Sequence, residues 1–332
     1  MATPVLQITI DGQDVSSTIF PRVLEGSVTR HDGEKADQFS LTLSNYDGRL
    51  AKPKRGATLT VALGFVEFGG PVDRGSYIVQ QVTKIGPVAV FHVTGHSADL
   101  KKTLKTQKNR SWTAPKTLGD VLRDVARDNG LTAAIDPQLA QTKIDTIVAQ
   151  TGESDMHLVT RLARRYGAIA KVAQGKLSFV PRGAGTAASG QALSAGSYEP
   201  ADFEAFRIVD SDRDVRGKSK CRAWDRSKAR GTTYDGSAGD DGPDYLHPET
   251  FGSVSEAKAA APARAKAFAR GKKRFEGTLR AAAPVPVPGS AMTTAGFGDD
   301  DDQDWVVKTV SDRFSGSGGG GLTTHVEGEP KT

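Results

Sequence analysis

The chain has 332 residues, 37% hydrophobic and 25% charged, with a formal net charge of +5. That length supports two or three domains with ordinary cores, and no apolar run approaches the ~18 residues of a membrane span, which excludes a helical membrane protein. Cys221 is the single cysteine, so an intrachain disulfide and a thiolate metal cluster within one chain are excluded, and a reducing compartment such as bacterial cytoplasm fits.

The N-terminus, Met1-Ala2-Thr3-Pro4 followed by an alternating run from Val5 to Ile10, lacks the basic start and continuous apolar stretch of a secretory signal. Phe39, Leu41 and Leu43 alternate with Ser40, Thr42 and Ser44, the period of a strand with one buried face, and Asn45-Tyr46-Asp47-Gly48 supplies a turn. Leu59, Val61, Leu63 and Phe65 alternate again, and Val88 to Val93 makes another strand after the Gly86-Pro87 break. Short strands separated by turns predict a sheet that curls into a sandwich or barrel.

From about Lys101 the period changes. Leu118, Val121, Leu122 and Val125 mark one face of a helix, with Thr117 placed to cap its start and Gly130 to end it. A second helix begins at Ser154, its N-cap, with Asp155 near the positive end of the dipole; Leu158, Val159, Leu162, Ala163 and Tyr166 form its apolar stripe and Gly167 stops it. A strand from Lys176 to Val180 follows, and the Gly-, Ala- and Ser-rich stretch from Pro181 to Gly196 reads as a linker. Lys220 to Trp224 reads as a strand playing the part of Phe39 to Leu43. Ser253 to Phe275 opens with Ser253 and Glu256 in capping-box spacing and is alanine-rich, so it favours helix; Pro262 demands a kink or a fresh start, because a proline inside a helix costs about 3 kcal/mol.

The two ends repeat one another. Pro53-x-x-Gly56-x-x-Leu59 recurs as Pro286-x-x-Gly289-x-x-Met292, each followed by a Gly-Phe pair, Gly64-Phe65 and Gly296-Phe297. Tyr77-Ile78-Val79-x-x-Val82 recurs as Trp305-Val306-Val307-x-x-Val310, and His92-Val93-x-Gly95 as His325-Val326-x-Gly328. The offsets are 233, 228 and 233 residues, so the series stay in step apart from a five-residue expansion of one loop, which holds Gly316 and the run Gly318 to Gly321. Closure entropy grows logarithmically, so that expansion costs only about 0.2 kcal/mol.

Gly152 to Gly167, and within it Glu153, Ser154, Asp155, Leu158, Arg161 and Leu162, resembles the Glu-Ser-Asp-x-x-x-aromatic/Leu-x-Arg-Leu-Ala segment of phage tail hub proteins. The whole chain is similar to the late control gene D family of contractile-tailed phages and phage-tail-like bacteriocins, and to the N-terminal hub part of type VI secretion spike proteins. The resemblance implies an α+β, mainly β fold: two tube-protein-like antiparallel β-barrel modules, 1–100 and 186–332, flank a helix-containing α/β middle domain, 101–185, and the second module carries an inserted basic helix near 253–275. It further implies a homotrimeric, non-enzymatic hub whose duplicated module adapts a hexameric tail tube to a trimeric spike. With the chain ending at Thr332, the spike is expected to be a separate protein; tape-measure and baseplate wedge proteins are implied as further neighbours. Assembly in the bacterial host cytoplasm into a virion baseplate or phage-tail-like particle follows. Strand edges left by each module must be covered or paired, and a ring does so through contacts on the order of 2,000 Å² or more.

No catalytic, cofactor or metal residues are expected. His92 and His96 lie four apart, which on a strand separates them by about 13 Å, too far to share a metal. His92 recurs as His325, which favours a structural role, and His157 in the helix's first turn reads as surface or interface. Cys221 has no activating base nearby in sequence and reads as a half-buried strand residue. Asp299 to Asp304 supplies oxygen ligands without the spacing and glycine turn of an EF-hand loop, so it reads as a solvated acidic loop or a contact for a basic neighbour. Between Phe251 and Arg280 eight basic residues stand against two acidic ones. Lys258, Arg264, Lys266, Arg270, Lys272, Lys273 and Arg274 form a basic face for a partner; the alternative is nucleic-acid binding through 258–274, although no aromatic platform or base-reading motif accompanies the charges and no specific nucleic-acid binding is expected.

Overall fold

The structure, a computed structural model, describes residues 2–33, 35–87, 89–97, 102–145, 147–173, 175–185, 193, 195–211, 215–225, 229–238, 241–316 and 321–332. Val88, most of the 186–194 linker stretch and Gly318 to Gly320 lie outside them.

The first part of the chain forms β1 (Pro4–Ile10), β2 (Gln13–Asp14), a short helix α1 (Ser16–Ile19), β3 (Val23–His31), β4 (Gln38–Ser44), β5 (Thr58–Phe65), β6 (Gly70–Ile85) and β7 (Val90–Ser97). Alternation drives it: Phe39, Leu41, Leu43, Leu59, Val61 and Leu63 all turn into one core, while Asn45-Tyr46-Asp47-Gly48 turns the chain with Gly48 at positive φ.

The middle contains α2 (Lys102–Lys105), β8 (Gln107–Thr113), α3 (Leu118–Asp128), β9 (Thr132–Ile135), α4 (Pro137–Ala140), β10 (Ile147–Ser154), α5 (Asp155–Arg165), β11 (Ala168–Ala173) and β12 (Lys176–Pro181). Thr117 caps α3 in a reciprocal box with Asp120, as its position predicts, and Gly130 follows the helix at positive φ. The apolar stripes of α3 and α5 share one core with Trp112, Leu177 and Phe179.

The remainder forms β13 (Gly196–Tyr198), β14 (Phe203–Asp210), β15 (Lys218–Asp225), β16 (Arg230–Ser237), β17 (Tyr245–Phe251), α6 (Val254–Gly271), β18 (Lys273–Leu279), β19 (Ala291–Thr294), β20 (Asp304–Ser315) and β21 (Leu322–Pro330). The strands of both ends belong to one 13-stranded sheet, ordered β14-β18-β21-β20-β3-β4-β7-β6-β5-β1-β2, with β19 on β20 and β13 on β19. Read in halves, β3-β4-β7-β6-β5-β1 repeats as β14-β18-β21-β20-β19-β13. The one change of sense is at the end, where β1 runs antiparallel to β5 and β13 parallel to β19. The class is α+β and mainly β. Among the described residues the sheet path stays open and closes no barrel.

The repeat holds to the level of register. Gly95 faces Phe39 and Val79, and Gly328 faces Phe275 and Val307. A bulge falls between Val79 and Gln81 and again between Val307 and Thr309; another falls between Val23 and Glu25 and again between Phe203 and Ala205. Gly56 donates its N–H to Val79 O at 2.8 Å, and Gly289 donates to Val307 O at 2.7 Å, both glycines at positive φ. Gly64-Phe65 and Gly296-Phe297 do not correspond: Gly64 pairs within β5, whereas Gly296 lies beyond β19.

Three expectations are corrected. The counterpart of β4 is β18, because Phe275 occupies the register place of Phe39; β15 with Cys221 belongs to an inserted three-stranded sheet, β16-β15-β17. The insertion therefore comprises that sheet as well as α6, and Lys273 to Phe275 lies on strand β18, outside the helix. Pro262 does not mark a fresh start: it lies inside α6, which runs through it. Its alanine face (Ala257, Ala260, Ala261) packs on Cys221, Ala223 and Phe251, and Gly236 lets the helix backbone come so near that an added Cβ would stand 2.3 Å from Ala261 O.

The two halves are joined by strand pairing. Seven residues of β20, Thr309 to Ser315, pair with His31 to Glu25 of β3. The expanded hairpin of the second half thus continues as strand, and its Phe314 and Leu322 enter the first half's core. Phe314 lies against Gly26, where an added Cβ would meet the ring at 2.3 Å. Asp312, fully buried, sits 3.0 Å from Arg74 and 3.5 Å from Arg30 and accepts a hydrogen bond from Thr324 Oγ1 at 2.7 Å. Burial pulls the Arg74 guanidinium below its ordinary value, which the Asp312 charge opposes.

Candidate functional site

The Glu153 to Leu162 segment is a strand-to-helix joint. Ser154 sits in extended conformation and accepts the His157 N–H on Oγ at 3.2 Å, as its N-cap position predicts. Leu158 and Leu162 are fully buried in the middle core. Glu153 grips Arg161, whose guanidinium also donates to Ala149 O at 2.8 Å, so the end of β10 and the first turns of α5 are clamped together. His157 is 73% exposed.

Asp155 does more than meet the helix dipole. It is fully buried and receives Lys108 Nζ at 2.6 Å, Arg110 at 2.6 Å, Asn129 Nδ2 at 2.7 Å and Gln150 Nε2 at 2.9 Å. Burial alone would raise its pKa; the hydrogen bonds from Lys108, Gln150 and Asn129 and the Arg110 charge outweigh that and hold it below the usual value. Arg110 also lies over the Trp112 ring at 4.6 Å. These partners come from β8, β10 and the end of α3, far apart in sequence, and only the fold brings them to Asp155.

The basic segment does not form one open face. Arg264 is paired with Glu249 and lies over the Phe251 ring, Arg270 is buried beside Glu329 at 3.2 Å, and Arg274 meets Glu276 at 2.8 Å. Lys273 reaches Asp301 at 2.8 Å, so the acidic run does contact a basic neighbour within its own chain. Asp302 accepts the N–H groups of Gly296 and Phe297 at 2.9 and 2.8 Å. Lys258 stands 5.5 Å over the Tyr234 ring, and Lys266 is exposed. Glu256, in capping-box spacing, donates its N–H to Ser253 Oγ at 3.2 Å but turns its carboxylate to Arg165 at 2.7 Å, tying α5 to α6; burial pushes that carboxyl up.

Cys221 is fully buried, with burial pushing its thiol up. His92 and His325 take equivalent cross-strand places, His92 Nδ1 3.1 Å from Thr42 Oγ1 and His325 Nδ1 3.5 Å from Thr278 Oγ1. Among the described residues no group of three His, Cys, Asp or Glu side chains is disposed to hold a metal, and no helix is long and apolar enough to cross a membrane.

The model of the family described as phage tail baseplate hub (GPD) matches residues 34–317. The probable baseplate hub protein of Escherichia phage 186 is 26% identical, with 99% of this chain and 93% of that protein covered. That of Escherichia phage P2 is 34% identical over 211 residues, 64% of this chain; the match spans about half (54%) of the P2 protein. Two solved structures share the fold with a TM-score of 0.72: the 43 kDa tail protein of prophage MuSo2 from Shewanella oneidensis (14% identity, 98% of both chains) and a tail protein from Neisseria meningitidis (11% identity, 98% of this chain and 96% of that one). An E. coli component of the type VI secretion system shares it with a TM-score of 0.61, at 11% identity over 98% of this chain and 77% of its own. The relatives are structural proteins of phage tails, and by a family match that runs from the first repeat, through the Asp155 joint, into the second, this chain belongs to the phage tail baseplate hub family.

Proposed function

We propose that this chain is a homotrimeric hub at the centre of a tail baseplate that joins a sixfold tail tube to a threefold spike, with its function residing in shape and symmetry. One observation carries the reading: a single chain folds the same strand order twice, with matching registers and two bulges at matching places. Three copies of a chain with two equivalent half-sheets present six near-equivalent surfaces, the number a hexameric tube requires, while everything unique to the second half repeats only three times. The inserted sheet and α6 are such a threefold feature, and they are assigned to the spike or wedge side. The two barrel-like modules 1–100 and 186–332 and the middle domain 101–185 are the units of this reading, the Asp155 joint stiffens the middle domain from within, and tape-measure contact is a further role of the same ring.

Co-expression with the tube and spike proteins of the same tail tests it. A complex containing three copies of this chain, binding tube and spike at opposite ends, is expected; a chain that stays monomeric at micromolar concentration with both partners present overturns the proposal.

A further inference from the structure

The junction inside the chain has an unfilled counterpart outside it. In the internal junction β20 pairs with β3. The repeat makes β6 the equivalent of β20 and β14 the equivalent of β3, and both equivalents are open. β14 ends the sheet path, and beyond Val79 β6 has a strand on only one side among the described residues. Two edges of one molecule therefore match the two edges already joined within it, and a second copy, head to tail, supplies the partner for each.

The side chains at these places exchange character. By register Lys84 stands where Asp312 stands, and Asp210, 3.6 Å from Lys273 of its own chain, where Arg30 stands: the charges of the internal ion pair recur with their signs reversed. Sizes exchange as well. Phe314 lies on Gly26 inside the chain; their equivalents are Gly86 and Phe206, small against large in the opposite sense. Lys84 and Asp210 are exposed, Phe206 is 46% exposed, and an added Cβ on Gly86 would meet nothing within 4 Å.

We infer that β14 of one copy pairs antiparallel with residues 81–85 of β6 in the next, Thr83 opposite Val209, and that the Lys84–Asp210 and Gly86–Phe206 reversals keep this outer junction from being confused with the inner one. This rests on the hub reading above. Offered to the wrong edge, Asp210 meets Asp312 and Phe206 meets Phe314, while Arg30 meets Lys84 and Gly26 meets Gly86. Like charges and mismatched volumes then reject the pairing, and the chain is protected from exchanging its own halves with a neighbour's.

The test uses the full-length chain. Thr83→Cys combined with Val209→Cys is expected to give covalent oligomers up to three chains on mild oxidation, neither single variant doing so; the native Cys221 is buried and does not compete. Lys84→Asp alone, or Asp210→Arg alone, is expected to raise the concentration at which half the chains are assembled at least ~10-fold, and the two together to restore it to within about 3-fold. Trimers that form without the cross-link and ignore both charge variants would overturn this edge assignment and leave the hub reading intact. A chain that is monomeric under all conditions would overturn both.

Discussion

Asp312 of the second half lies 3.0 Å from Arg74 of the first, both buried, at the centre of the strand pairing that joins them. The contact joins a guanidinium to a carboxylate with little water at either. Removing that charge leaves Arg74 and Arg30 without the buried carboxylate they share. Asp312→Asn is expected to destabilise the chain by about 3–5 kcal/mol in urea unfolding, well beyond the effect of losing an exposed pair such as Lys218–Asp235.

Asp155→Asn removes the buried charge that Lys108 and Arg110 share, Arg110 keeping Asp128, and a loss of about 3 kcal/mol is expected. The sign with pH follows from its lowered value: the stabilisation is complete above the ordinary carboxylate range and drains away as pH falls through it toward the folded value. Thermal melts from neutral pH down to about pH 3 should show an acid slope in the native chain that is reduced in the Asn variant.

His247 has the opposite chemistry and the same direction. Burial, with the Arg264 charge adding to it, brings this imidazole down from 6.5 to about 4; it stacks on Phe268 and lies 3.0 Å from Ser219 Oγ. Between those two values the unfolded chain takes up a proton that the folded chain refuses, so stability is full above 6.5 and declines as pH drops toward 4. His247→Gln should flatten stability across that window; an unchanged profile would show that the ring is not held neutral by its surroundings.

Ser154→Ala removes the cap of α5 and is expected to cost about 1 kcal/mol, with Ser154→Asp retaining most of it. Hydrogen exchange at the first turn of α5 reads the local effect.

Gly26→Ala pushes a methyl group into the Phe314 ring, for an expected loss of about 1–3 kcal/mol. Trimming the ring in Phe314→Leu should recover part of that loss if the contact is its source, which a double-mutant cycle measures.

Much of the architecture was legible because strand residues with fixed jobs keep their spacing. Gly95 and Gly328 lie opposite a Phe, Tyr77 and Trp305 opposite Leu59 and Met292, and these are the residues that recur in the sequence. β18 was missed because Gly277 stands where Leu41 stands, which removes the apolar residue between Phe275 and Leu279; Cys221 and Ala223 in the inserted sheet show cleaner alternation and took its place. The caps at Thr117 and Ser154 were legible because capping is local. The surroundings of Asp155 were not, since Lys108, Arg110 and Asn129 approach from 47, 45 and 26 residues away. The charges of α6 read as a face because sequence shows the cations and not the carboxylates of Glu249 and Glu329 that the fold sets beside them.

The seam between β20 and β3 has a mechanical consequence. Halves linked by a loop swing freely, whereas halves linked by seven cross-strand residue pairs and a ring buried in the neighbouring core move as one plate. Tilting one against the other means breaking that ladder, so a displacement of either half is carried to the other through paired backbone and not through a linker.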